Sequence, residues 1–143
     1  MAEVVGVIAS IVTLAEVSKK IIETCTRYIS HGRNAPNEYG KVLDDIQALN
    51  AVIGRFYDLI RASGQSKDIT NRLEQWKVPL QKLTQHGRDL QKLVEKHDTK
   101  PGRINNVVFL ASWPATWRKI KVILGEINAE RAKLQLAATV ESV

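Results

Sequence analysis

One cysteine, Cys25, is the chain's whole stock of thiols. It excludes an internal disulfide, and its place on an apolar helical face makes it a buried, reduced thiol in this reading rather than a nucleophile or ligand. The three histidines, His31, His86 and His97, stand apart from one another and from Cys25, so no metal-ligand spacing exists. A Gly-rich phosphate loop, a nucleophile elbow and a His/Glu metal motif are all missing. The nearest carboxylate pair, Asp44-Asp45, falls among solvent-facing positions and reads as a solvated face. These absences point away from an enzyme and leave no expected cofactor. Before Lys19 there is no Lys or Arg, so the basic start of a secretory signal is missing and the chain reads as cytosolic. No long hydrophobic run occurs either. The most apolar uncharged stretch, between Glu3 and Glu16, holds twelve residues. At about 1.5 Å each, they reach roughly 18 Å, against roughly 30 Å for a bilayer's hydrocarbon core. An ordinary membrane-spanning helix is therefore excluded, while a pore assembled from several copies stays open as an alternative.

What is present is apolar periodicity on helical spacing, with no alternating segments. With 143 residues, 44% of them hydrophobic, and only four prolines and eight glycines, the composition fits one globular helical domain spanning 1–143. In the first thirty residues Val4, Val7, Ile8, Ile11, Leu14, Ala15, Ile21, Cys25 and Ile29 share one face at about 100° per residue. The opposite stripe is Ala2, Gly6, Ala9, Thr13, Glu16, Lys20, Glu23 and Arg27. It is charged only in its second half, although an amphipathic helix in water has no need to lose charge there. Ala2, Gly6 and Ser10 are spaced four apart with Ala9 and Thr13 alongside, a side without bulk that lets a second helix approach closely, as small residues do in lipid. These five form the expected self-association face.

A second helix begins by Pro36 to Glu38, with core positions Tyr39, Val42, Ile46, Leu49, Ile53, Phe56 and Ile60, widened by Leu43, Val52 and Leu59, and ends among Ala62 to Ser66. The third runs from Lys67 or Asp68 to about His97 and carries Ile69, Leu73, Trp76, Leu80, Leu83, Leu90, Leu93 and Val94. Pro79 predicts a kink or break near Trp76 to Val78. Gly87, where the stripe wants a larger residue, predicts close helix contact or a gap. Asp98 to Arg103 reads as a loop, and Val107 to Ala111 is too short to assign. The last helix is expected to open at Ser112, with Ser112 or Trp113 capping and Pro114 in the first turn. Its stripe is Trp117, Ile120, Ile123, Leu124, Ile127, Leu134 and Ala138. The expected fold is all-α, an antiparallel up-down bundle of four main helices.

The formal charge of +6 sits in the second half. Residues 1 to 64 carry seven basic and seven acidic residues, whereas 65 to 143 carry fourteen and eight. That balance favours an anionic partner, although a solvated helix face explains much of it. Trp113, Trp117, Arg118, Lys119 and Lys121 form the one aromatic-plus-basic cluster. Core packing by Trp117 with exposed lysines is its first reading. An anchor on anionic lipid, with Arg118, Lys119 and Lys121 as the contacts, is the second, and nucleic acid is the third.

The blocks "MAEVVGVIASIVTLAEV", "PNEYGKVLDDIQALNAVI", "VPLQKLTQHGRDLQKLV" and "WPATWRKIKVILGEINAERAKLQLA", in this order over nearly the full chain, resemble the HeLo-like N-terminal domain of fungal NLR-type (STAND) proteins. The resemblance implies a helical bundle from the N-terminal part of a longer protein, whose first helix acts on membranes in programmed cell death and innate immunity. A downstream receptor or amyloid-templating region would be the trigger. Carried to this chain, membrane insertion falls on Val4, Val5, Val7, Ile8, Ile11, Val12 and Leu14, with Ala2 adjoining. The expectation is a domain that is cytoplasmic at rest, then self-associates and engages anionic lipid at the plasma membrane. The alternative is an adaptor bundle that binds partner helices and never touches lipid.

Overall fold

The computed structural model describes the backbone of residues 2–31, 37–63, 67–95 and 103–142, and the side chains of 5–30, 37–61, 75–95 and 113–136. Four helices occupy these ranges: α1 Ala2–His31, α2 Glu38–Ser63, α3 Lys67–Glu95 and α4 Arg103–Ser142. No strand occurs among the described residues. The fold is an all-α helical bundle. The start of α2 is marked by a backbone bond from Gly40 N–H to the Asn37 carbonyl at 3.0 Å. Glu38 in its first turn and Arg61 in its last both oppose the helix dipole.

Each helix packs on two others. α1 lies against α2 and α3, and α4 lies against the same two. The helices therefore stand at four corners, with α1 and α4 on one diagonal. Ala9, Ser10 and Thr13 lie beside Gln81, Thr84 and Gln85, while Leu14 and Val17 face Gly87 further along, so α1 and α3 run parallel. Chain-consecutive helices alternate in direction, with Tyr28 meeting Tyr39 where α1 gives way to α2.

The predicted core of α2 is the observed one, since all seven stripe residues from Tyr39 to Ile60 are buried. From α1 come Val7, Ile11, Leu14, Val17, Ile21 and Cys25; from α3, Trp76, Leu80, Leu83, Leu90 and Val94; from α4, Trp113, Ile120, Leu124, Ile127 and Leu134. Phe56 and Trp76 meet edge to face at 4.6 Å, joining α2 to α3 across the other diagonal. Near the α1–α2 connection four rings form a ladder: Tyr28 on Tyr39 at 4.9 Å, Tyr39 on Trp113 at 5.0 Å, and Trp113 on Trp117 at 6.2 Å. This ladder ties α1, α2 and α4 together.

The structure departs from the sequence expectations at several places. Ile29 is 46% exposed, and Tyr28 takes the inward position because the ladder needs its ring. α4 opens at Arg103, not Ser112, so Val107 to Ala111 are helical, Trp113 is core rather than cap, and Pro114 lies inside the helix. An interior proline costs roughly 3 kcal/mol; burial of the neighbouring Trp113 in the ladder offsets it. Likewise α3 continues through Pro79 without a break. Asp44 is exposed as expected, whereas Asp45 is tied in by the Asn128 amide, which donates to its carboxylate at 3.3 Å, and by Lys41 at 3.6 Å. Gly32, where the sequence predicts the cap that ends the first helix, and Gly64 and 98–102, read as breaker and loop, lie outside the described residues, as do the side chains of Ile69, Leu73 and Ala138.

Gly87 resolves into close contact rather than a gap. A Cβ placed there would stand 3.2 Å from Val17 Cγ1 and 3.6 Å from Leu14 Cδ1. A larger side chain must push α1 and α3 apart, so Gly87→Leu should lower stability by about 1–3 kcal/mol. Chemical denaturation measures this, and Ile46→Asp, which buries an unpaired charge, should lower it further.

Candidate functional surface on the first helix

The uncharged run of α1 divides between two environments. Its inward side, Val7, Ile11 and Leu14, is sealed in the core, and Ile8 is half-buried. Its outward side leaves Val5 67% and Val12 44% exposed, with Gly6 and Ala9 exposed beside them. Ser10 and Thr13 are half-buried at the border with α3. The expected insertion set is thus split by the bundle, with Val5 and Val12 facing out and Val7, Ile11 and Leu14 facing in. The side chains of Ala2 and Val4 lie outside the described residues.

Of the expected self-association set, Gly6 and Ala9 lie on the open face, and nothing stands within 4 Å of a Cβ added at Gly6. The Thr13 hydroxyl is internally satisfied, donating to the Ala9 carbonyl at 2.9 Å. Ala9, Ser10 and Thr13 border a groove of about 280 Å³ whose far wall is Gln81, Thr84, Gln85 and Arg88 of α3. Arg88 is the cation that the fold places next to the uncharged face. Sequence reasoning missed it, because only the parallel packing of α1 and α3 brings it there.

Arg118, Lys119 and Lys121 are all exposed, yet they do not form one patch. Two residues apart on a helix turns the direction by roughly 200°, so Lys119 and Lys121 flank α4 on opposite sides. Furthermore α4 is diagonal to α1. The resting bundle therefore cannot set the uncharged α1 face and this basic trio on one flat surface at once. Trp113 is buried and Trp117 half-buried, so the core reading of this cluster accounts for the rings.

Among the described residues, no group of three or more His, Cys, Asp or Glu could hold a metal ion, and no helix is long and apolar enough to cross a membrane. Comparison with protein-family models, curated proteins and solved structures finds no match.

Cys25 is fully buried, and burial pushes its thiol from 9.0 up to about 12. Desolvation opposes the thiolate, so its protonated form favours the folded state fully below about pH 9 and progressively less above it. A thiol reagent at pH 8 should label the folded chain only at its opening rate and label it rapidly in denaturant. Fast labelling under native conditions would show that α1 opens readily at its C-terminal half.

Proposed function

We propose that this chain is a non-enzymatic signalling bundle of the fungal NLR type, which acts in cell death by self-associating and engaging membrane through α1. One observation carries the reading. Val5, Gly6, Ala9 and Val12 leave an uncharged, partly apolar face in solvent on the N-terminal half of α1, while the same side further on presents Glu16, Lys20, Glu23 and Arg27. The resemblance of the sequence blocks to HeLo-like domains supplies the cellular setting, including a cytoplasmic resting state and a trigger from a downstream region.

In this reading the first contact is interfacial. The exposed face of the intact bundle offers only Val5 and Val12 as large apolar groups, a weak foothold at roughly 1.5–3 kcal/mol for each if fully buried. Deeper insertion needs Val7, Ile11 and Leu14 as well, and these leave the core only if the N-terminal half of α1 is released. Release forfeits roughly 5–9 kcal/mol of burial, comparable to a whole domain's stability of about 5–15 kcal/mol. Membrane action therefore belongs to an assembled or receptor-driven state, and the isolated domain at low concentration is close to inert on lipid. Arg88, beside the face, is the better placed cation for an anionic headgroup than Arg118, Lys119 or Lys121.

The adaptor reading draws on the same face. An exposed uncharged strip beside a groove also suits a partner helix, with no release required. Dye release from anionic and neutral liposomes separates the two. On the membrane reading, the chain at high concentration releases dye from anionic vesicles, Val5→Glu with Val12→Glu reduces release at least about tenfold at unchanged helix content, and Arg88→Glu reduces it less, by roughly the 1 kcal/mol of one basic contact. Equal release by a chain lacking residues 1 to 12 would remove α1 from the mechanism; no lipid binding by any form would leave the adaptor.

A further inference from the structure

The outer side of α4 carries a second apolar stripe that the core does not use. Val122, Gly125, Ala129, Ala132 and Leu136 recur at alternating steps of three and four, which places them along one line of a helix. All five are exposed, Val122 at 62% and Leu136 at 67%. The core residues Ile120, Leu124, Ile127 and Leu134 occupy the opposite side. α4 is thus apolar on two sides where it should meet water on one. The outward sides of α2 and α3 contrast with it, carrying Arg55, Asp58 and Arg61 on one and Lys77, Lys82, Arg88 and Lys92 on the other.

We propose that this stripe is a homodimer interface, in which α4 of one chain packs antiparallel against α4 of a second copy, with the twofold axis at Ala129. Size and charge both select that partner and that direction. An antiparallel pair centred on residue 129 sets Val122 against Leu136 of the other copy at each end and small residues against small residues in the middle. Gly125, Ala129 and Ala132 then let the two backbones approach closely. In an antiparallel pair related by a twofold axis, the same flank of each helix meets its own counterpart. One flank of the stripe carries Glu126, 51% exposed, and Lys133, 66% exposed. Their numbers straddle 129 almost evenly, so Glu126 of each copy comes opposite Lys133 of the other, giving two reciprocal ion pairs.

Neither group is used up within its own chain. Glu126 offers Oε2 to His86 Nδ1 at 3.1 Å, and the Lys133 ammonium reaches Glu130 Oε1 at 3.5 Å, which leaves a carboxylate oxygen and further ammonium protons for the partner. The stripe extends fifteen residues, from Val122 to Leu136, a rise of about 21 Å along the helix. One such contact falls at the small end of specific interfaces, below about 1,200 Å² in total, so the dimer is weak and concentration-dependent. It lies on the corner diagonal to α1 and leaves the α1 face of both copies open. The inference therefore does not rest on the membrane reading.

Sedimentation equilibrium over a wide concentration range tests it, with circular dichroism as the check that each variant is folded. The chain should show a reversible monomer–dimer equilibrium. Ala129→Glu, which opposes two like charges on the axis, should weaken dimerisation at least about tenfold. Glu126→Lys and Lys133→Glu should each weaken it severalfold, and the two together should restore it, because the swapped charges again face their opposites only in the antiparallel register. Arg55→Ser with Asp58→Ser, on the outward side of α2, should leave it unchanged. A chain that stays monomeric at every concentration overturns the proposal. So does a dimer indifferent to Ala129→Glu, or one lost on changing Val5 and Val12, which would place self-association on α1. Failure of the double charge swap to restore dimerisation would overturn the antiparallel register.

Discussion

The bundle depends on the close approach of α1 and α3 at Gly87. With only a hydrogen at that position, Leu14 and Val17 can settle against the α3 backbone, and a Cβ would already crowd Val17 at 3.2 Å. Dispersion falls steeply with separation, so a gap of a side chain's width would weaken the contacts along the whole α1–α3 seam. The same approach fixes the parallel register of the two helices. It thereby decides which residues of α1 face inward and which side chains of α3 stand beside its uncharged run. The groove with Arg88 on its far wall follows from it.

How much of this was legible in the sequence differs from helix to helix. α2 was read in full, because each of its stripe positions carries a large apolar residue and its outer side is polar, so one period accounts for the helix. In α1, Val7, Ile11, Leu14, Ile21 and Cys25 are core as read, whereas Val17 is a core residue the reading left out and Ile29 is not core. Ile29 satisfies the period as well as Tyr28 does, but Tyr28 has a ring to stack on Tyr39, and stacking is a tertiary fact that no spacing encodes. α4 resisted for two reasons. Pro114 after Ser112 is a strong start signal locally, yet the start lies upstream at Arg103, with Trp113 anchored in the ladder. Its second apolar stripe also blurs the period, since residues on opposite sides cancel as a pattern even though each side is regular.

The candidate surface was half legible for a related reason. A twelve-residue run that is both uncharged and mostly apolar marks α1 as unusual, but a run says nothing about direction, and half of its large side chains are in the core. Arg118, Lys119 and Lys121 looked like a cluster because they are close in sequence. On a helix, Arg118 and Lys121 stay neighbours three residues apart, while Lys119 turns to another side. Conversely, Arg88 and the α1 face are far apart in the chain and adjacent in space. Sequence proximity misleads most where a helix is exposed, since nothing on the solvent side selects one direction over another.

The two halves of α1 are held by different means, and this bears on how the proposed membrane step could occur. Beyond Glu16 the helix is fixed by Val17, Ile21 and Cys25 in the core and by Tyr28 in a ladder that continues through α2 into α4. Before Glu16 it is held by Val7, Ile11 and Leu14, with Ile8 half in. Lifting the first half forfeits roughly 5–9 kcal/mol of burial, while lifting the whole helix about doubles that and dismantles the ladder too. Only the first amount lies within what self-association or a receptor could supply, since a coupling of several kcal/mol is enough to invert a two-state equilibrium. A release confined to the N-terminal half would also keep α2, α3 and α4 joined through Phe56, Trp76, Tyr39 and Trp113. The uncharged part of α1 is thus the part whose removal the remaining core can survive.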